Sequence, residues 1–224
     1  MADRANEGLI DLSHVIEDGM TTYKGLPGPL ICDYWTREAS AANYEDGSSF
    51  QIGRIDMVAN TGTYVDSPFH RYADGEDLSE LALESLANLE GIVVRRPFEN
   101  GLSVDADAFA GLDVGGKAVL VATGWDRQWR TDSYFTEHPF LTESAAQGLV
   151  DGGAIFVGID SHNIDDTRRP KRPVHSLLLG AGIPIGEHLT GLGQLPDSGF
   201  RFSAVPPKIK GMGTFPVRAF AVLS

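Results

Sequence analysis

The sequence predicts a mixed α/β chain, with a β-sheet core flanked by helices. Three observations predict it. Val119-Leu120-Val121 and Ile155-Phe156-Val157 are almost wholly apolar, as strands covered on both faces are. Segments of strand character outnumber those of helical periodicity and alternate irregularly with them. Twenty-six glycines and twelve prolines cut the chain into short pieces, with no internal repeat or low-complexity linker.

Taken in order, strands are expected at Gly8–Leu12, Phe50–Ala59, Gly91–Arg95, Ala118–Ala122, Ala154–Ile159 and Arg218–Val222. Each is short, rich in β-branched or aromatic residues, and bounded by turn formers. Helices are fewer. Leu78, Leu81, Leu83 and Leu86 approach a 3.6-residue stripe over Ser79–Leu86. Asp105 or Asp107 offers a cap for a short helix ending near Gly111. Thr142 starts a helix to Asp151 that sets Ala145, Ala146 and Leu149 on one side and stops at Gly152-Gly153. Ser176–Gly182 reads as a compact apolar helix. Gly111–Lys117 lacks phosphate-loop spacing and a following helix, so it reads as a turn feeding the next strand.

Composition narrows the function. A chain of 224 residues, 42% hydrophobic and 22% charged, fits one globular domain, residues 1–224. A net charge of -13 argues against nucleic acid or an anionic membrane as partner. The basic run Arg168, Arg169, Lys171, Arg172 is short and broken by Pro170, so a solvated loop is expected over the alternative of an anion site. Cys32 is the single cysteine, which removes intrachain disulfides and Cys-rich zinc sites, and a buried inert thiol is expected. The first ten residues lack an apolar leader core, and no run approaches a membrane span. A cytoplasmic location is the expectation.

The chemistry concentrates in Asn-Thr-Gly-Thr-Tyr-Val-Asp-Ser-Pro-Phe-His, residues 60–70. Positions 60, 62, 64, 66, 68 and 70 share parity, so an extended chain would project them to one side. Gly62 permits close backbone approach, and Pro68 stiffens a turn that aims His70. The bland alternative is a polar strand edge ending in an Asx-type turn. A second stretch, residues 175–188, reads His-Ser-Leu-Leu-Leu-Gly-Ala-Gly-Ile-Pro-Ile-Gly-Glu-His, and Gly158-Ile159-Asp160-Ser161 precedes it.

Together these stretches resemble the cyclase/kynurenine formamidase family, whose first signature is His-x-Gly-Thr-His-x-Asp-x-Pro-x-His. Asp11-Leu12-Ser13 and Pro216-Val217-Arg218-Ala219 fit as well, so the resemblance runs from about residue 8 to residue 222. It implies a swivelling β/β/α domain, assembled as a homodimer or dimer-based tetramer. It also implies a divalent metal, zinc or manganese, and hydrolysis of an amide or lactone in a small, often aromatic substrate such as N-formylkynurenine or isatin. Carried over by position, Asp66, His175 and Glu187 are metal ligands and His70 is the general acid/base. Asn60 and Tyr64 stand where the family has two histidine ligands.

Replacing two imidazoles by an amide and a phenol weakens a first metal site but leaves Asp66, His175 and Glu187 as a three-ligand set. Three readings stay open. One is a hydrolase with one metal. Another is metal-free lyase, isomerase or cyclase chemistry by Tyr64, His70 and Glu187 with no cofactor. The third is a small-molecule binding protein. Asn60, His162 and Trp125 are candidate substrate contacts. His188 points to the opposite strand face and reads as structural, while His14 and His138 are expected in solvent. Tyr23, Trp35 and Phe69 could line an apolar pocket for a ring, though single aromatics are more often found in cores.

Overall fold

The structure, a computed structural model, describes residues 8–223; the segment before residue 8, read above for a leader, lies outside them. In chain order the strands are β1 (Leu9–Asp11), β2 (Leu30–Trp35), β3 (Ile52–Asp56), β4 (Tyr64–Asp66), β5 (Leu89–Arg95), β6 (Ser103–Val104), β7 (Lys117–Ala122), β8 (Phe140–Leu141), β9 (Phe156–Ile159), β10 (Ile185–Glu187), β11 (Phe200–Ser203), β12 (Thr214–Pro216) and β13 (Phe220–Leu223). The helices are α1 (Arg37–Ala41), α2 (Glu143–Asp151) and α3 (Pro173–Gly180). This is the mixed α/β architecture expected.

Nine strands form one sheet in the order β1-β13-β11-β5-β7-β9-β10-β4-β12. The centre, β5-β7-β9-β10, is parallel, and the pairings outside it are antiparallel. The apolar runs are central because both sheet faces are covered. Val119 and Val121 pack with Val157, Ile159 and the α2–α3 residues Ala145, Leu149, Val174 and Leu178. Ala118 and Leu120, alternating with them, face Val65, Phe156, Phe200 and Phe202. Gly91 lies against the Phe200 ring, where an added Cβ would overlap it.

Several local expectations gave way to tertiary contacts. Ser79–Leu86 forms no α-helix, only a turn at Leu83–Ser85. The Asp77 carboxylate accepts from Ser79 N (2.7 Å), Ser79 Oγ (2.6 Å) and Gly211 N (2.5 Å), which diverts the first turn into a loop contact. Residues 105–111 shrink to a 3₁₀ turn, Ala106–Phe109, without a side-chain cap. By contrast, α2 forms as read, its cap Thr142 accepting from Ala145 N. Helix α3 starts three residues earlier than expected, because Pro173 suits a first-turn position.

The segment Phe50–Ala59 pairs not with the main sheet but with β2. Every residue of this β2–β3 ribbon is exposed, including Leu30, Ile31, Tyr34, Trp35, Ile52 and Ile55. Cys32 lies on it and is exposed, so the expected buried thiol is corrected: an arm with no covering layer has no interior.

Candidate active site

Strand β4 is only three residues long, so parity does not carry the whole of residues 60–70 to one side. Gly62 takes a left-handed φ of 65°, and Pro68–His70 is a 3₁₀ turn. The residues meet nonetheless, because β4 sits between β10 and β12. Tyr64 lies opposite Glu187 and Pro216, and Asp66 opposite Ile185 and Thr214. A cavity of about 250 Å³ opens there, lined by Tyr23, Asn60, Tyr64, His70, Arg71, Asn163, Arg172, His175 and Glu187 among others.

His175 stands in the first turn of α3, fixed by one carboxylate. Asp165 accepts from Val174 N (2.9 Å) and His175 N (3.0 Å), capping the helix, and from His175 Nδ1 at 2.6 Å. With Nδ1 so engaged, Nε2 is the nitrogen turned to the site, 3.7 Å from Asp66 Oδ2 and 3.6 Å from Glu187 Oε1. Burial alone would lower the His175 pKa, but the hydrogen bond to Asp165 and the nearby carboxylates of Asp66 and Glu187 outweigh it and raise it to about 10. Burial likewise lifts Glu187 to about 7, with the Asp66 charge adding to the lift and His175 opposing it.

Glu187 is further held by Ile164 N (2.6 Å) on Oε1 and by the Tyr64 hydroxyl (2.5 Å) on Oε2. Burial first, then the charges of Glu187 and Asp66, keep the Tyr64 phenol protonated, and the Asn60 side chain contacts the same hydroxyl. Of the two residues that replace family histidines, Tyr64 therefore bonds Glu187, and Asn60 lies against the Tyr64 hydroxyl. Thr214 Oγ1 donates its one proton to Asp66 Oδ1, so it accepts from His70 Nδ1 at 2.8 Å. In the neutral ring this places the proton on Nδ1 and the lone pair on Nε2; the ring is about a third exposed.

These residues fit a divalent metal. Asp66 Oδ2 is buried and has no hydrogen-bond partner among the described residues, an expensive state for a carboxylate oxygen unless a cation meets it. Ligands on a tetrahedral ion at ~2.1 Å stand roughly 3.4 Å apart, close to the spacings around His175 Nε2. An Asp–His pair behind the facing nitrogen is the usual support of a metal-bound imidazole. Among the described residues, the side chains whose ligand atoms all lie within 4.8 Å of one another are Asp66, His70 and His175; Glu187, carried over as a ligand by position, approaches His175 Nε2 at 3.6 Å but is not one of that set.

A family model, Cyclase ("Putative cyclase"), matches residues 10–166. The chain belongs to the cyclase family. A kynurenine formamidase of Salinibacter ruber is 30% identical over 217 residues, 94% of this chain and 95% of the relative. Among solved structures, a potential metal-dependent hydrolase with cyclase activity is 27% identical, with a TM-score of 0.77 over 95% of this chain and 96% of that one. An isatin hydrolase bound to the product analogue thioisatinate has a TM-score of 0.80 at 21% identity, over 96% and 92% of the two chains. This cyclase-family chain is an enzyme of the hydrolase kind.

Within the cyclase-family site, Asn60, Tyr64, Asp66, His70, His175 and Glu187 come together. Trp125 and His162 do not line the cavity. Trp125 is buried against Phe98, with its indole N–H donated to the Tyr134 carbonyl. His162 is buried beneath the Tyr23 ring. His14 and His138 are not in solvent as expected: His14 stacks on Trp129 at 4.0 Å between centroids, and His138 bonds Thr167 Oγ1. His188 is fully buried under Tyr64. Tyr23 and Arg172 do reach the cavity, Tyr23 as a pocket-lining ring, the lesser alternative to core, and Arg172 in place of a solvated loop. Asp165, Asn163 and Thr214 were missed, since their role depends on partners 10, 24 and 148 residues away; a capping Asp ahead of Pro173 was the one available signal.

Asp165→Asn is expected to weaken divalent-metal binding about 10- to 100-fold, measured by competition against a chromophoric chelator. Burial depresses His162 to about 3 and His14 to about 4. Their folded-state pKa values lie below the unfolded 6.5, so the folded state is favoured above pH 6.5 and loses stability as pH falls below it. For His162 that loss is about 2 kcal/mol at pH 5. His162→Gln should therefore lose less Tm than the parent between pH 7.5 and 5.

Proposed function

We propose that this chain is a one-domain hydrolase of a non-peptide C–N bond, a formamide or cyclic amide of a small aromatic substrate, with lactones as the neighbouring class. The observation that carries it is the orphaned Asp66 Oδ2 facing His175 Nε2, beside a His70 whose Nε2 is free. Asp66, His175 and Glu187 hold one divalent ion, zinc or manganese. That ion supplies Lewis acidity at the scissile carbonyl when bound. Asn60 orients the amide from the cavity wall. His70 Nε2 takes the proton of the attacking water and returns it to the departing nitrogen, with Thr214 and Asp66 fixing its ring. Tyr64 holds Glu187 in place and closes the space that a second ion would need. The family resemblance and the relatives named kynurenine formamidase support N-formylkynurenine, and hence tryptophan breakdown, as the first substrate to test, with isatin second. A cytoplasmic location accords with a chain in which no helix among the described residues is long and apolar enough to cross a membrane.

A metal-free acid–base reaction is the second reading, favoured by an imidazolium at His175 lying between two carboxylates. Dialysis against chelator separates the two. Turnover of formamides or cyclic amides should vanish and return with zinc or manganese; activity indifferent to chelator and metal would remove the metal reading. Elemental analysis should find one ion per chain, lost in Glu187→Ala and retained in His70→Ala, with Asn60→His/Tyr64→His gaining a second. His70→Ala should lower kcat about 10²- to 10⁴-fold.

The bare β2–β3 ribbon supports a homodimer, because an isolated two-stranded ribbon is marginal in water and apolar residues cover both of its sides. Light scattering should give twice the chain mass, and Ile31→Asp/Ile55→Asp should give the monomer. A parent that scatters as a monomer defeats this assignment.

A further inference from the structure

Two guanidinium groups stand on the cavity wall without a carboxylate partner. Arg71 follows His70, and Arg172 precedes the first residue of α3. The acidic chain offers acids freely: Arg168 and Arg169 pair with Asp166, Arg95 with Asp197, Arg127 with Glu99, and Arg218 with Asp11. Among the described residues, Arg71 and Arg172 form no such pair.

Both side chains are held rather than loose. Arg71 Nε donates to Ser176 Oγ at 3.2 Å, and that hydroxyl donates to the Arg172 carbonyl at 2.8 Å. The Tyr72 hydroxyl donates to the Ser176 carbonyl at 2.8 Å, tying the same turn of α3 to the His70 segment. Arg172 Nη1 donates to the carbonyls of Asp166 (3.3 Å), Lys171 (3.0 Å) and Arg169. Each guanidinium is thus anchored through one nitrogen, while its other N–H groups have no protein acceptor among the described residues. Fixed forks with spare donors match a carboxylate bidentately, and fixing them beforehand removes the ordering cost of binding. Two solvated arginines would need no such anchoring.

We propose that Arg71 and Arg172 form an anion clamp for a carboxylate that the substrate carries away from its scissile carbonyl. The substrate class is then an aromatic amide bearing a free carboxylate, in preference to a neutral cyclic amide or ester. The proposal rests on the hydrolase reading above for its turnover arm, but not for its binding arm.

The turnover arm compares 3-(formylamino)benzoate with its methyl ester on the metal-loaded enzyme. The parent should favour the acid in kcat/KM by about tenfold or more, the worth of one charge-assisted contact. In Arg71→Gln and Arg172→Gln the acid-to-ester ratio should fall towards one, through KM. Arg172→Lys, which keeps charge but loses the fork, should lie between. The binding arm titrates 3-aminobenzoate and aniline by calorimetry, with no bond broken. The benzoate should bind at least about tenfold tighter than aniline, and either Gln variant should erase the difference. A purely structural role for Arg172 would weaken both probes alike. Equal handling of acid and ester, or a ratio unmoved in both variants, overturns the clamp. If the parent cleaves neither substrate, the hydrolase reading fails, and the calorimetric difference alone upholds or overturns the clamp. Arg71 is exposed, so Arg71→Gln keeps the test decisive if Arg172→Gln fails to fold.

Discussion

Strand β4 is pinned on both sides in a single register, Tyr64 across from Glu187 on β10 and Asp66 across from Thr214 on β12. The rest of the site depends on that pairing. Val65, between the two polar residues, points the other way into the apolar layer with Phe156 and Leu189. A slip of one residue would drive Val65 into the cavity and bury Tyr64 and Asp66 among leucines and phenylalanines. Three residues of strand are enough because burial on one face and polar pairing on the other both demand the same register.

That register gathers charges that would be costly if left alone. Asp66, Glu187 and His175 are almost completely buried, and buried ions persist only when paired and hydrogen-bonded. Glu187 has Tyr64 and Ile164 N, His175 has Asp165, and Asp66 Oδ1 has Thr214. Only Asp66 Oδ2 is left over. Among these three side chains, that oxygen facing His175 Nε2 is the position whose charge and spacing a divalent cation would match. Beside it, Asn60 and Tyr64 stand at the two positions where the family has histidines, and the Tyr64 phenol donates to Glu187.

The core was legible where local pattern and tertiary demand agreed. Residues 117–122 and 156–159 are apolar on both sides because helices cover one face and the antiparallel strands the other. Helix α2 carries its own cap and stop. Ser79–Leu86 misled because its leucine spacing is helical while Asp77 spends its carboxylate on the loop at Gly211. Phe200-Arg201-Phe202-Ser203 alternates as a strand should, yet its short length hid it. The β2–β3 ribbon was half read, since no local rule says whether a strand joins the main sheet or leaves it.

The sequence alone determined the family likeness, the mixed α/β class, and the polar residues that meet at the candidate site: Asn60, Tyr64, Asp66, His70, His175 and Glu187. These are encoded locally, in residue type and spacing. Tertiary structure alone decided what each one touches. Asp165 grips His175, Thr214 sets the His70 tautomer, Tyr64 donates to Glu187 rather than standing as an independent ligand, and Arg71 and Arg172 share one serine at the cavity wall. Trp125 and His162 turned inward for the same reason. Hydrogen bonds and burial depend on distances between segments far apart in the chain, and spacing along a sequence carries no such distance.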